Sequence, residues 1–159
     1  MRNEMKLEFM ASPVNEGMAR VAVASFMTSL NPTLEEVEDV KTAVSEAVTN
    51  CIIHGYGMPE EGMEEQELAE GNTKIYITCQ TKGRSLYVEI RDYGVGIQDI
   101  KKAMEPLYTS KPELERSGMG FAFMEAFMDK LLVESELGKG TCVKMTKNLA
   151  DTKVQSVRE

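Results

Sequence analysis

Leu86-Tyr87-Val88-Glu89-Ile90-Arg91 alternates apolar and polar side chains and runs directly into Asp92-Tyr93-Gly94-Val95-Gly96. Alternation at a period of two predicts a strand with one buried face. The stretch after it sets one carboxylate at the strand end and then two glycines, a backbone that can approach a flat ligand closely. An Asp-x-Gly-x-Gly turn alone is a weak signal, because many tight turns look alike. What flanks it decides the fold.

Upstream, Lys74–Gln80 reads as a second strand, joined to the first by a hairpin turn at Lys82-Gly83. Before that, Thr33-Leu34-Glu35-Glu36 is a capping box that opens a helix. Leu34, Val37, Val40, Val44, Ala47, Val48, Cys51 and Ile52 fall on one stripe of that helix, which is expected to end near Gly55. Met5–Met10 alternates as a strand. After Ser12-Pro13, Val14, Met18, Val21, Ala22, Ser25 and Phe26 space out a first helix to about Leu30, where Asn31-Pro32 breaks it. Downstream of the glycines, a short helix is expected over Ile97–Met104, a loop over 105–117 with Pro106 and Pro112, and a helix over Gly118–Met128. A last hairpin, Leu131–Ser135 and Thr141–Lys147, turns at Gly138-Lys139-Gly140. The expected fold class is an α/β (α+β) two-layer sandwich: a mixed, mostly antiparallel sheet with helices on one face. One domain over residues 1–149 is followed by a polar tail at 150–159.

Of the 159 residues, 42% are apolar and 28% charged, as in ordinary globular domains. The net charge of −8 disfavours direct contact with nucleic acid or anionic membrane. Much of it sits in one low-complexity stretch, 57–72, where Glu60, Glu61, Glu64, Glu65, Glu67 and Glu70 crowd together. That stretch reads as a solvated loop. Cys51, Cys79 and Cys142 lie far apart among apolar neighbours, as expected of buried free thiols in a reducing cytoplasm. The N-terminus has no apolar leader, and no apolar run is long enough to span a membrane.

Two further constellations carry chemistry. Glu46, Asn50 and His54, at i, i+4 and i+8, form a polar stripe beside the apolar one. A solvated face would look the same, but Asn is a poor choice in mid-helix unless its amide has work to do. Ser117-Gly118-Met119-Gly120-Phe121 opens a helix with glycines, which leaves free N–H groups at the positive end of the dipole, suited to an anion. No Gly-Lys-Ser or Gly-Lys-Thr follows, so this is not a P-loop.

In this order the three motifs resemble the N box and the two glycine boxes of the ATP-binding domain shared by sensor histidine kinases, gyrase-type ATPases and Hsp90-type chaperones. The likeness then narrows. Val44-Ser45-Glu46-Ala47-Val48-Thr49-Asn50, Ile52-Ile53-His54-Gly55-Tyr56 and the run from Lys111 to Phe121 resemble the anti-sigma F factors of spore-forming bacteria. So do Asn3-Glu4-Met5, Leu7-Glu8-Phe9, Ala19-Arg20-Val21 and Val23-Ala24-Ser25-Phe26. The resemblance covers about residues 1–148. The chain departs from it in a longer acidic loop, in Tyr93 where an acid is expected, and in the tail.

The resemblance implies ATP and Mg²⁺ as cofactors. It assigns Asp92 to the adenine amino group, Gly94 and Gly96 to the base's bed, and Thr141 to the adenine side. Asn50 would ligate Mg²⁺. Gly118, Met119 and Gly120 would hold phosphates, with Lys111 and Arg116 closing over them from a lid at 105–117. Glu46 would be the catalytic carboxylate, and Glu16 and Arg20, one helical turn apart, the partner contacts. The implied protein is a cytoplasmic, homodimeric serine kinase and anti-sigma factor. Its partners would be sigma F and the anti-anti-sigma factor that it phosphorylates, in control of sporulation transcription. A stand-alone histidine-kinase catalytic domain, an anti-sigma B-like stress regulator and a purely ATP-binding module are the alternatives. The absence of a dimerisation helix bundle counts against the first, and Glu46 against the last.

Overall fold

The structure is a computed structural model that describes residues 2–57, 73–105 and 120–151. Most of the acidic stretch, most of the expected lid and the tail lie outside those residues. Strands β1 (Asn3–Met10), β2 (Lys74–Lys82), β3 (Ser85–Asp92), β4 (Lys130–Glu136) and β5 (Gly140–Asn148) make one sheet in the order β1-β2-β3-β5-β4. Every neighbouring pair is antiparallel, the arrangement that the sequence led one to expect of most of the sheet. The reason is connectivity. Tight turns join β2 to β3 and β4 to β5, and short turns can only produce antiparallel pairs. Two helices, rather than one, separate β1 from β2, so the chain returns to the end it left and β2 runs back along β1.

Burial alternates along the central strands. Ile75, Ile77 and Cys79 of β2, Leu86, Val88 and Ile90 of β3, and Val143 and Met145 of β5 form the inner face. The opposite face is wet and carries cross-strand ion pairs: Lys74–Glu8 at 2.8 Å and Lys144–Glu134 at 3.2 Å. Exposed pairs of this kind contribute little each, roughly 0–1 kcal/mol. Each fully buried aliphatic side chain on the inner face contributes about 1.5–3 kcal/mol, so that face holds the fold together.

Three helices cover it: α1 (Val14–Met27), α2 (Leu34–Asn50) and α4 (Gly120–Phe127), with α2 packed against both of the others. The predicted capping box is formed. Thr33 Oγ1 accepts the Glu36 N–H at 3.1 Å, and Glu36 Oε2 accepts the Thr33 N–H at 2.8 Å. The other Glu36 oxygen accepts the Ala150 N–H at 2.9 Å, so the same side chain anchors the end of the last strand. Burial opposes the Glu36 charge, but these donors outweigh it and hold its carboxyl below the usual value.

Three helical expectations need correction. In α1 the buried residues are Ala19, Val23 and Met27, whereas Val14, Met18 and Val21 are exposed. Leu34, assigned to the apolar stripe of α2, is the first residue of the helix and is 77% exposed. The helix expected over Ile97–Met104 is only α3 (Ile100–Ala103). Ile97 N–H is held instead by Ser135 Oγ at 2.7 Å, and Asp99 caps the turn through Lys102 N–H. The α-helical part of α2 stops at Asn50, and Cys51–Gly55 continues it as a π-helical turn. Such wide turns recur at functional sites, and this one takes His54 off the straight stripe of Glu46 and Asn50. All three cysteines are buried and free. No helix among the described residues is long and apolar enough to cross a membrane.

Candidate functional site

The π-helical turn brings the end of α2 against the Asp92–Gly96 turn. A Cβ on Gly94 would lie 1.9 Å from the Gly55 carbonyl oxygen, and Val95 N–H donates to that oxygen at 2.9 Å. Only glycine permits this approach. Gly96, at φ +76°, adopts a backbone that L side chains rarely take, and its missing Cβ makes room for the Glu136 carbonyl. Tyr56 locks the same junction from the side: its hydroxyl donates to Lys74 O at 2.6 Å and accepts Tyr93 N–H at 2.9 Å. The turn is therefore fixed on several sides by the protein itself.

Asp92 is 3% exposed. Burial raises its pKa, opposed by hydrogen bonds from Gly94 N–H (2.9 Å to Oδ1), the Cys51 thiol and Thr141 N–H. With a raised native value, this group contributes less to stability as pH climbs through the carboxylate range. Thr141 faces Asp92 directly across the β3–β5 register.

At the other end of the site, a Cβ on Gly120 would lie 3.2 Å from the Asn50 amide atoms and 3.3 Å from Glu46 Oε2. Sequence motifs some seventy residues apart therefore meet at the start of α4. Since Cys51 follows Asn50 and hydrogen-bonds Asp92, α2 carries both ends of the site. Lys111, Arg116, Gly118 and Met119 lie outside the described residues.

Glu16 and Arg20, assigned to partner contacts, pair with each other along α1 at 3.8 Å. Glu16 also accepts the Ser45 hydroxyl proton, which ties α1 to α2 one residue before Glu46. A groove of about 200 Å³ runs between the two helices, lined by Arg20, Glu38, Lys41, Thr42, Ser45 and Glu46. Arg20 and Glu46, remote in sequence, thus share one cleft. That volume is below the usual range for a small-molecule pocket.

Sequence reasoning missed Gly55, Gly140, Tyr56 and Ser135 as parts of this site. A Cβ on Gly55 would meet the Asp92 carboxylate at 2.9–3.1 Å, and one on Gly140 the Asp92 carbonyl oxygen at 2.2 Å. Gly138-Lys139-Gly140 was legible as a turn, but only the register shows what Gly140 lies against.

The family model described as Histidine kinase-like ATPase domain matches residues 9–147. The chain is 52% identical over 147 residues to the anti-sigma F factor of Clostridium novyi, covering 92% of this chain and 95% of the relative. It is 54% identical over 153 residues to that of Oceanobacillus iheyensis and 49% identical over 153 residues to that of Bacillus velezensis, each covering 96% of this chain and 97% of the relative. At that identity and coverage, the chain belongs to the anti-sigma F factors within the histidine kinase-like ATPase family.

Proposed function

We propose that this protein is an ATP-dependent serine kinase as well as an anti-sigma factor. In this reading it sequesters sigma F in the cytoplasm and phosphorylates, and so inactivates, the anti-anti-sigma factor that competes for the same surface. One observation carries the kinase reading: Glu46 stands beside Asn50 and Gly120 at the phosphate end, and it also lines the groove that opens at Arg20. A pure nucleotide binder has no need of a carboxylate in both places.

The base would lie against Gly94 and Gly96 with its amino group on Asp92. The phosphates would meet the start of α4 and, in the lid, Lys111 and Arg116. The partner's serine oxygen then bonds the γ-phosphorus as the bond to the β–γ bridging oxygen breaks. ADP leaves, and the hydroxyl proton passes to Glu46. Among the described residues no group of three or more His, Cys, Asp or Glu could hold a metal ion by itself. The Asn50 amide oxygen fits a hard cation held mainly by phosphate oxygens and water, and Mg²⁺ there would neutralise charge developing on the phosphates.

Asp92→Asn should weaken ATP binding by about 1.5–3 kcal/mol, the worth of a charge-assisted hydrogen bond, in a chain that still folds. Calorimetry decides this, and wild-type affinity in a folded variant would refute the adenine assignment. Arg20→Ala should leave ATP affinity unchanged, because α1 forms no part of the nucleotide bed. It should weaken binding of sigma F and of the anti-anti-sigma factor by about 2 kcal/mol each if Arg20 is the shared anchor. Unchanged affinity for both would reduce Arg20 to a surface partner of Glu16. The function as a whole is tested by incubating the protein with labelled ATP and both partners, then scoring which proteins bind and whether acid-stable phosphoserine forms.

A further inference from the structure

Asp92 of β3, Thr141 of β5 and Ser135 of β4 stand side by side across three adjacent strands, on the face that carries the core. Ser135 Oγ has three close neighbours: Ile97 N at 2.7 Å, Thr141 Oγ1 at 2.8 Å and Gly140 O at 2.9 Å. A serine hydroxyl has one proton and two lone pairs. Ile97 N–H only donates and Gly140 O only accepts, so they take one lone pair and the one proton. The contact with Thr141 must then run from the Thr141 hydroxyl to the remaining lone pair of Ser135. With its proton committed there, Thr141 has only lone pairs left for anything else. The Asp92 carboxyl beside it, which takes hydrogen bonds from Gly94 N–H, the Cys51 thiol and Thr141 N–H, is likewise an acceptor. The row therefore offers acceptors and no hydroxyl proton.

We propose that Ser135 is a specificity-determining positioning residue: by holding the Thr141 hydroxyl as an acceptor, it selects a nucleobase that presents an amino group and disfavours one that presents a carbonyl. The proposal rests on the adenine reading of Asp92 and Thr141. A 6-amino purine brings donor protons to this row, whereas a 6-oxo purine sets its own lone pairs against those of Asp92 and Thr141. An unsatisfied polar pair in a half-buried site is costly, which is why sites built this way discriminate strongly.

ATP and ITP differ at this position and are the probes, with affinities measured by calorimetry. The wild-type protein should prefer ATP. In Ser135→Ala, the Thr141 hydroxyl is free to rotate and donate to a carbonyl, so the ATP-to-ITP affinity ratio should fall by about tenfold. Ser135→Thr, which keeps the hydroxyl, should restore the ratio. In a Thr141→Val background, Ser135→Ala should leave the ratio where it was, since the residue acts through Thr141. Should the alanine variant lose its fold, Ser135→Cys, nearly isosteric but a poor acceptor, carries the same test. A ratio within twofold of wild type in Ser135→Ala, or an equal fall in the Thr141→Val background, would overturn the proposal. A wild-type protein that binds ATP and ITP alike would instead overturn the adenine reading beneath it.

Discussion

Glu46→Gln should lower phosphoryl transfer to the partner serine by about 10²–10⁴-fold while nucleotide and sigma affinities stay close to wild type. The amide keeps the shape and most of the hydrogen-bonding capacity of the carboxylate but cannot take a proton from a serine hydroxyl. The separation of activities follows from position. Glu46 lies beside Asn50 and Gly120, yet the end of the site proposed for the base is built from Asp92, Thr141 and the Gly55–Gly94 contact, which the substitution leaves intact. Single-turnover measurements of labelled phosphate transfer, with ATP affinity measured on the same preparation, decide it. A near-normal transfer rate would remove Glu46 from the chemistry and leave it as a wall of the groove.

Gly94→Ala should strongly destabilise the fold, since no other glycine among the described residues would set a Cβ so close to backbone. Its Cβ would sit 1.9 Å from the Gly55 oxygen and 2.3 Å from the Gly55 carbon. Both are backbone atoms, so no side-chain rotation relieves the clash. Separating them breaks the Val95–Gly55 hydrogen bond and moves the turn away from the Tyr56 hydroxyl. The expected loss is about 3 kcal/mol, at the upper end for overpacking, which for a chain of this size is a melting-temperature drop of roughly 6–12 °C. ATP binding should be lost even below that temperature, because the turn proposed to receive the base has moved. Gly83→Ala is the control: a Cβ there meets nothing within 4 Å, and only the cost of its positive φ remains. Equal effects of the two substitutions would show that the Gly55–Gly94 approach is not what shapes the site.

These two residues also show what was legible in the sequence. Glu46 and Gly94 belong to short motifs whose spacing survives translation into structure, as does the Thr33–Glu36 capping box. The chemistry of each is complete within a few neighbouring residues. The buried face of α1 was not legible, because that helix is apolar on more than one side. Both the Val14-Met18-Val21 and the Ala19-Val23-Met27 rows have helical spacing, and packing against α2 chooses the second. Ser135, Gly55 and Gly140 were invisible for a different reason. Each matters through an atom that register or chain crossing brings to it, and no local pattern encodes that. The polar stripe of Glu46, Asn50 and His54 was drawn on a regular helix, and the π-helical turn after Asn50 altered it.

The order of the sheet has a consequence for how the chain assembles. The hairpins β2–β3 and β4–β5 close over turns of a few residues, so their pairing needs little loss of chain freedom. Strand β1 pairs with β2 only after α1, α2 and the acidic stretch have been looped out between them, and it gains no second neighbour in return, since it lies at the sheet's edge. Loop-closure entropy therefore falls most heavily on an edge strand with a single pairing partner, whereas β4, at the other edge, joins its one partner through a tight turn. Folding should nucleate on the hairpins and the face of α2, and β1 should be among the last elements to be fixed in place.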